Sequence, residues 1–168
     1  MTLKVLQFGA TGQMAREVIA RAPRHGLAVT ALSRQDADLS DPTAIERIVE
    51  AAEADLVINA TAYTAVDKAQ TERDAAFEVN AVAPAAMARA CARRGLPLVH
   101  VSTDYVFNGG GSRPWREDDA TAPLNVYGDS KLAGEQAIAQ TGARAAILRT
   151  SWVFSAHGAN FVKTMLRL

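Results

Sequence analysis

The sequence holds little that could crosslink it, bind a metal or tie it to a membrane. Of its 168 residues one is cysteine, Cys91, and three are histidine. A single thiol excludes an internal disulfide framework and suits a reducing compartment. Cys91 sits in an alanine-rich helical stretch, where small core filler is its expected role. His25 and His157 fall in expected loops and His100 in an apolar run, and no spacing among them describes a metal site. Neither charge sign is in excess: Lys plus Arg and Asp plus Glu are 18 each, which argues against a nucleic-acid partner and against an acidic tail. No stretch approaches the length of a membrane span. The apolar run Val5 to Ala10 is too short for a signal segment and runs into a glycine turn. A soluble, cytoplasmic protein without a membrane partner is expected.

What is present is alternation. Short apolar runs over 3–8, 28–32, 56–60, 98–102 and 145–149 read as strands, separated by segments with helical patterning. Asp41-Pro42 begins one helix, as N-cap and first helical residue. Residues 74–94 read as a long helix that Pro84 should kink or open, ended by Gly95. Residues 127–141 read as another, and 159–168 as a last. Strands alternating with helices give an α/β fold, a Rossmann-like doubly wound parallel sheet with helices on both faces, over 1–168 as one cofactor-binding domain.

The first strand leads into Gly9-Ala-Thr11-Gly12-Gln13-Met14-Ala15. Gly9 permits the tight turn, and Gly12 lets the backbone approach a pyrophosphate at a helix N-terminus, where free N–H groups favour anions. The competing reading is a plain strand-to-helix turn. After the second strand stands Ser33-Arg34 rather than an acidic residue. A serine and a guanidinium suit a 2′-phosphate, which favours NADPH over NADH, although surface arginines are common. Asp38 is placed to accept a bond from an adenine amino group, with turn formation the alternative. Ala62-Tyr63-Thr64 and Ser102-Thr103-Asp104 follow strands and should face the cofactor, because ligands of open α/β sheets bind at the carboxyl ends of strands. Asn80 either points into the site or sits on a solvent face.

Tyr127 and Lys131 are four residues apart, one turn on the same face of the expected helix. A lysine charge beside a phenol lowers a pKa of about 10 toward neutrality, so the pair can exchange a proton with a carbonyl or alcohol. The same spacing occurs by chance on solvated helices. Ser102-Thr103 adds a hydroxyl, and two hydroxyls on one carbonyl oxygen would stabilise a developing alkoxide. The long segment 108–125, rich in Gly, Pro and acidic residues, reads as part of a substrate mouth. Hydride transfer between a nicotinamide and a carbonyl is the reaction class.

The glycine turn, Asn59 to Ala69, Ser102-Thr-Asp-Tyr-Val-Phe107, Pro123 to Glu135 and Arg149-Thr-Ser-Trp-Val153 together resemble dTDP-4-dehydrorhamnose reductases, extended short-chain dehydrogenases/reductases. The resemblance implies reduction of the C4 keto group of dTDP-4-dehydro-L-rhamnose by NADPH, with NADH as the other nicotinamide donor. It implies Tyr127 as proton donor, Lys131 as its partner and Thr103 as the hydroxyl at the carbonyl. Gly12, Gln13 and Met14 would hold the pyrophosphate and Asp38 with Leu39 the adenine, and Gly9, Thr11, Ser33 and Arg34 complete the expected cofactor-binding set. Ala62, Tyr63 and Thr64 would flank the cofactor, and Thr103, Asp104 and Trp152 would touch the dTDP-linked keto-sugar. Ala15 stands where a third glycine is usual, and Gln70 where Glu is frequent. Members of the family continue into a substrate lobe, so this chain is expected to bind cofactor without turning over substrate. Some members hold magnesium at a dimer interface. Glu17 matches one ligand position, but no metal is expected here, and a homodimer is left open for the full-length protein. The alternatives are a related nucleotide-sugar reductase or epimerase, and a non-catalytic cofactor-binding subunit of the methionine adenosyltransferase type.

Overall fold

The computed structural model describes residues 2–168. Five strands, β1 (Leu3–Phe8), β2 (Leu27–Leu32), β3 (Leu56–Asn59), β4 (Leu98–Thr103) and β5 (Ala145–Thr150), form one all-parallel sheet in the order β2-β1-β3-β4-β5. The register pairs Phe8 with both Leu32 and Asn59, Asn59 with His100, and Thr103 with Thr150. The carboxyl ends therefore finish on one side of the molecule. After β1 the chain moves one way to β2 and then back across β1 to β3. This reversal opens a crevice beside the β1 end.

The helices are α1 (Gln13–Arg21), α2 (Pro42–Ala51), α3 (Val66–Ala69), α4 (Arg73–Phe77), α5 (Ala83–Arg94), α6 (Val126–Gln140) and α7 (Phe161–Met165). Right-handed crossovers place α1 on one face and α2, α5 and α6 on the other. On that second face α2 and α5 are laced by Arg89 and Arg93 to Glu46 and Glu50. Phe8, Ile45, Val49, Val57, Met87, Cys91, Leu98 and Ile138 form the core between sheet and helices. Cys91 is buried and unpaired, and burial pushes its thiol up to about 11, as suits core filler.

The helix expected over 74–94 is interrupted as Pro84 requires. One π-helical turn, Glu78–Val82, joins α4 to α5. Pro84 has no N–H for the carbonyl four residues back, and the wider turn carries the chain past that defect. Asn125 caps α6, its Oδ1 accepting from the Gly128 N–H at 2.8 Å. Two glycines let α6 lie against its neighbours. A methyl at Gly134 would run into the Asn80 carbonyl, and one at Gly128 into the Tyr105 carbonyl. The segment ahead of α6 is tied down: Arg113 pairs with Asp119 at 2.6 Å, and Trp115 stacks on Phe107 with ring centres 4.5 Å apart.

Candidate active site

The turn after β1 depends on Gly9. Its φ is +101°, and a Cβ there would meet the Ala60 carbonyl oxygen and Thr61 Cγ2 at 3.1 Å, so conformation and space both require glycine. Beneath the turn, buried Gln7 donates from Nε2 to the carbonyls of Gly9 (2.8 Å) and Ala15 (3.2 Å). This brace is not legible in sequence, where Gln7 reads as one polar residue in a strand. Gly12 is the N-cap of α1 and has no side chain to satisfy the first N–H groups. Nothing lies within 4 Å of where its Cβ would be. The donors of the first turn thus face open space, as an anion site needs.

Two cavities meet across this turn. One, of about 730 Å³, is lined by Gln13, Met14, Thr64, Thr103, Asp104, Tyr127, Lys131 and Trp152. The other, of about 540 Å³, is lined by Gly9, Ser33, Arg34, Asp38, Leu39 and Tyr63. Thr11, Gly12 and Ala62 line both. Every site residue expected from sequence lies on one cavity or the other. Together they form a cleft with anion-binding N–H groups at its middle and room at each end, which fits a dinucleotide.

At the Arg34 end the side chains are already engaged with their own loop. Ser33 donates from N (2.8 Å) and Oγ (2.6 Å) to Asp36 Oδ2, and these bonds hold the Asp36 carboxyl below its ordinary range. Asp38 Oδ1 accepts from Ser40 N (2.9 Å) and Oγ (2.8 Å), which leaves Oδ2 for another donor. The Ser33 hydroxyl proton being taken, Arg34 is left as the cationic group of this end.

Asn80 takes neither orientation that the sequence left open. It is buried, accepts from the Tyr63 N–H at 2.9 Å, and donates to the Tyr63 carbonyl (3.1 Å) and Ser130 Oγ (3.0 Å). It thereby pins the Ala62–Thr64 turn to α6. The Tyr63 phenol turns outward to Glu72 at 2.5 Å.

At the other end Tyr127 packs edge-on to Tyr105 with ring centres 5.5 Å apart. Its phenol is shifted up, not down as the neighbouring lysine led us to expect. Burial is the main cause, Asp104 and Tyr105 push the same way, and the Thr103 hydroxyl opposes them. Lys131 is not among the groups that move it. Lys131 is 1% exposed, and its Nζ donates to the Val101 carbonyl at 2.7 Å and lies 3.3 Å from His100 Nε2. Burial brings its pKa down to about 8, against the field of Glu135. His100 is fully buried, and burial, then the Lys131 charge, pulls it down to about 3.

Thr103 ends β4, and its Oγ1 accepts from the Tyr105 N–H at 3.2 Å and donates to Asp104 Oδ1 at 3.1 Å. Ser151 donates to Asp104 Oδ2 at 2.7 Å. Alternation along the strand sends Ser102 to the opposite face. There it donates to Glu135 at 2.5 Å, and Glu135 also binds Arg149 at 2.6 Å. Trp152 sits at φ +54°, the one non-glycine residue with positive φ among those described. It is 74% exposed and rests edge-on against Phe161. A bulky residue held there is strained, as residues at ligand sites often are. Among the described residues no three His, Cys, Asp or Glu gather as a metal site, and no helix is long and apolar enough to cross a membrane.

A family model described as the RmlD substrate binding domain matches residues 3–168. The dTDP-4-dehydrorhamnose reductase of Burkholderia thailandensis is 49% identical over 99% of this chain and 55% of its own length. That of Escherichia coli K12 is 46% identical over 99% of this chain and 56% of its own length. The crystal structure of the Bacillus anthracis dTDP-4-dehydrorhamnose reductase in complex with NADP superposes with a TM-score of 0.94 at 35% identity, covering 99% of this chain and 59% of that one. The chain thus spans little more than half the length of the relatives it matches. With the match running from residue 3 to residue 168, and the cleft where the fold places it, the chain belongs to the RmlD family, that of the dTDP-4-dehydrorhamnose reductases.

Proposed function

We propose that this chain is the nicotinamide-binding and proton-donating domain of a cytoplasmic reductase that converts the C4 ketone of dTDP-4-dehydro-L-rhamnose into the alcohol of dTDP-L-rhamnose. One observation carries the reading: Thr103, Tyr127 and Lys131 face the same cavity as the uncapped N-terminus of α1. NADPH, when bound, supplies the hydride. The first-turn N–H groups after Gly12 hold its pyrophosphate. Arg34 holds the 2′-phosphate, and Asp38 with Leu39 borders the adenine. Tyr127 donates a hydrogen bond to the ketone oxygen, the Thr103 hydroxyl turns from Asp104 Oδ1 to donate a second, and the Tyr127 proton passes to that oxygen as the carbon accepts hydride. A phenol shifted upward is protonated before reaction, as a donor in the reductive direction must be. Asp104 and the exposed Trp152 form the wall that meets the dTDP-linked sugar. Retention of all three proton-handling residues favours an enzyme over a non-catalytic subunit. The test is NADPH oxidation with dTDP-4-dehydro-L-rhamnose, run on this chain and on any longer reading frame that contains it. Where turnover is seen, Tyr127→Phe should lower it by roughly 10²–10⁴-fold and leave NADPH affinity nearly unchanged. Undiminished turnover would remove Tyr127 from the mechanism.

A further inference from the structure

Gln13 opens α1 directly after the Gly12 N-cap and lines the Tyr127 cavity but not the Arg34 one. Its amide meets a residue 147 positions away: Gln13 Oε1 accepts from Asn160 Nδ2 at 2.8 Å. Asn160 is the N-cap of α7, and its Oδ1 accepts from the Lys163 N–H at 3.0 Å. A backbone N–H can only donate, so the Asn160 atom on that side is the oxygen and the other is the NH₂. That NH₂ has two hydrogens, and the second goes to the Ser155 carbonyl at 2.9 Å. The Gln13 atom that faces this donor must be an acceptor, which is its oxygen. Gln13 Nε2 is then turned away from Asn160. The stem of the side chain is held as well. Gly158, at φ +65°, comes so close that a Cβ there would lie 3.2 Å from Gln13 Cγ. Lys163 Nζ donates to the carbonyls of Ala156 (2.5 Å) and Gly158 (3.0 Å), which folds this loop onto itself.

We infer that Asn160 is a positioning residue that fixes the Gln13 amide with its NH₂ toward the cleft, as a donor to the phosphate on the nicotinamide side of a dinucleotide pyrophosphate. Gln13 Nε2 has no hydrogen-bond partner among the described residues, and its side chain lines the cavity beside the first-turn N–H groups of α1. A side-chain amide has nearly the same shape either way round, with a donor at one end and an acceptor at the other. The reversed amide would set its carbonyl oxygen against a phosphate. Asn160 decides between the two, because its oxygen is held by the α7 backbone and only its NH₂ is left for Gln13. The cations near this point are engaged elsewhere. Lys163 holds the loop carbonyls and Lys131 the Val101 carbonyl, while Arg34 lines the other cavity. A pyrophosphate at the end of α1 therefore meets neutral donors, the backbone N–H groups and the Gln13 amide.

The inference rests on the dinucleotide-binding part of the proposed function. The test is titration of the 168-residue chain with three ligands: NADPH, ADP-ribose, which has the pyrophosphate and no nicotinamide, and adenosine 2′-phosphate, which has neither. Two variants keep the α7 cap, since serine and aspartate also accept from the N–H three residues on. Asn160→Ser removes the donor, leaves the amide free to turn, and should weaken NADPH and ADP-ribose by about 3-fold each. Asn160→Asp sets an acceptor against Gln13, which draws the NH₂ to the carboxylate and turns the oxygen to the cleft. It should weaken both ligands by about 10-fold. Adenosine 2′-phosphate should bind all three chains equally, which also shows that the variants fold. Gln13→Ala should weaken NADPH by about 10-fold. Adding Asn160→Ser to it should change nothing further, because the effect of Asn160 passes through Gln13. Additive losses, an unchanged affinity for ADP-ribose in the Asn160 variants, or a parallel loss of adenosine 2′-phosphate each overturn the inference. If the unmodified chain binds neither NADPH nor NADH, the dinucleotide reading falls and the inference with it. If it binds them and the variants bind them as tightly, the inference alone falls.

Discussion

The two ends of the cleft use the same kind of polar pairing in different surroundings. Under Tyr127 the partners are Asn59, His100 and Lys131, each 1% exposed or less. Around Arg34 the partners are Ser33 with Asp36 and Asp38 with Ser40, in exposed bonds within one short loop. Water screens the second set and not the first. Burial at the deep end moves His100 to about 3 and Lys131 to about 8, while at the outer end the loop bonds shape the backbone around a cation. Substitutions should therefore act on stability and protonation at the deep end, and on ligand choice at the outer end.

The largest expected effect on the fold is acid loss through His100. An unfolded chain protonates histidine below about pH 6.5, whereas the folded one resists until about 3. Between these values the unfolded state binds more protons, so stability is fully present above about 6.5 and falls as the pH is lowered through the window. The loss from this one group is on the order of 4 kcal/mol. Denaturant unfolding of the chain from pH 7 to 4 should show it, and His100→Gln should flatten the curve. Equal slopes in the two chains would mean that His100 is not buried as a neutral ring.

Glu135 ranks next. Its carboxylate joins Ser102 on β4 to Arg149 on β5. Arg149 in turn donates to the Glu117 carbonyl at 3.1 Å and lies over Phe107. Glu135→Ala leaves a guanidinium without its partner, which costs about 3–5 kcal/mol where burial is complete. Arg149 keeps 23% of its side chain in water, so a loss of about 2–3 kcal/mol is expected, measured as the denaturation midpoint of the chain. A change within about 0.5 kcal/mol would show that the contact has the weak value of a surface pair.

The same contrast explains what the sequence disclosed. Apolar runs bounded by glycine, proline and polar residues mark all five strands; the inner strands β1, β3 and β4 have the continuous apolar signature of strands covered on both faces, and the edge strands β2 and β5 keep apolar runs although none of their residues is fully buried. The site followed from strand ends, which is why Gly12, Thr103 and Trp152 could be placed. α3, four residues long, has too little periodicity to be seen. The deep hydrogen bonds were hidden for another reason. Asn59 and His100 are 41 residues apart and meet only through strand register, and Asn80 reaches Tyr63 only because Pro84 imposes a π turn. The direction of the Tyr127 shift is not legible in helical spacing, which does not show how deeply the phenol is buried, and burial is the main cause. Spacing did place Tyr127 and Lys131 on the same cavity.

The smallest effect, and the one that separates the two ends, belongs to Arg34. It lines the outer cavity near Asp38, and no acidic residue follows β2 directly, since Ser33-Arg34 occupies that position. A guanidinium can hold a 2′-phosphate through paired charged hydrogen bonds, but an unphosphorylated 2′-hydroxyl gains little from it. A hydrogen bond to a charged group contributes about 1.5–3 kcal/mol, and at this exposed end salt should reduce it. Arg34→Ala should thus weaken NADPH by roughly 10-fold and NADH by far less, without moving the denaturation midpoint or the Lys131 titration. Fluorescence titration of both nucleotides at two salt concentrations measures this directly, and the NADPH loss should shrink as salt rises. Equal losses for the two nucleotides would leave the 2′-phosphate without a partner at this end. Asp36, two residues on and already joined to Ser33, would then argue for a ribose with free hydroxyls, and for NADH as the donor.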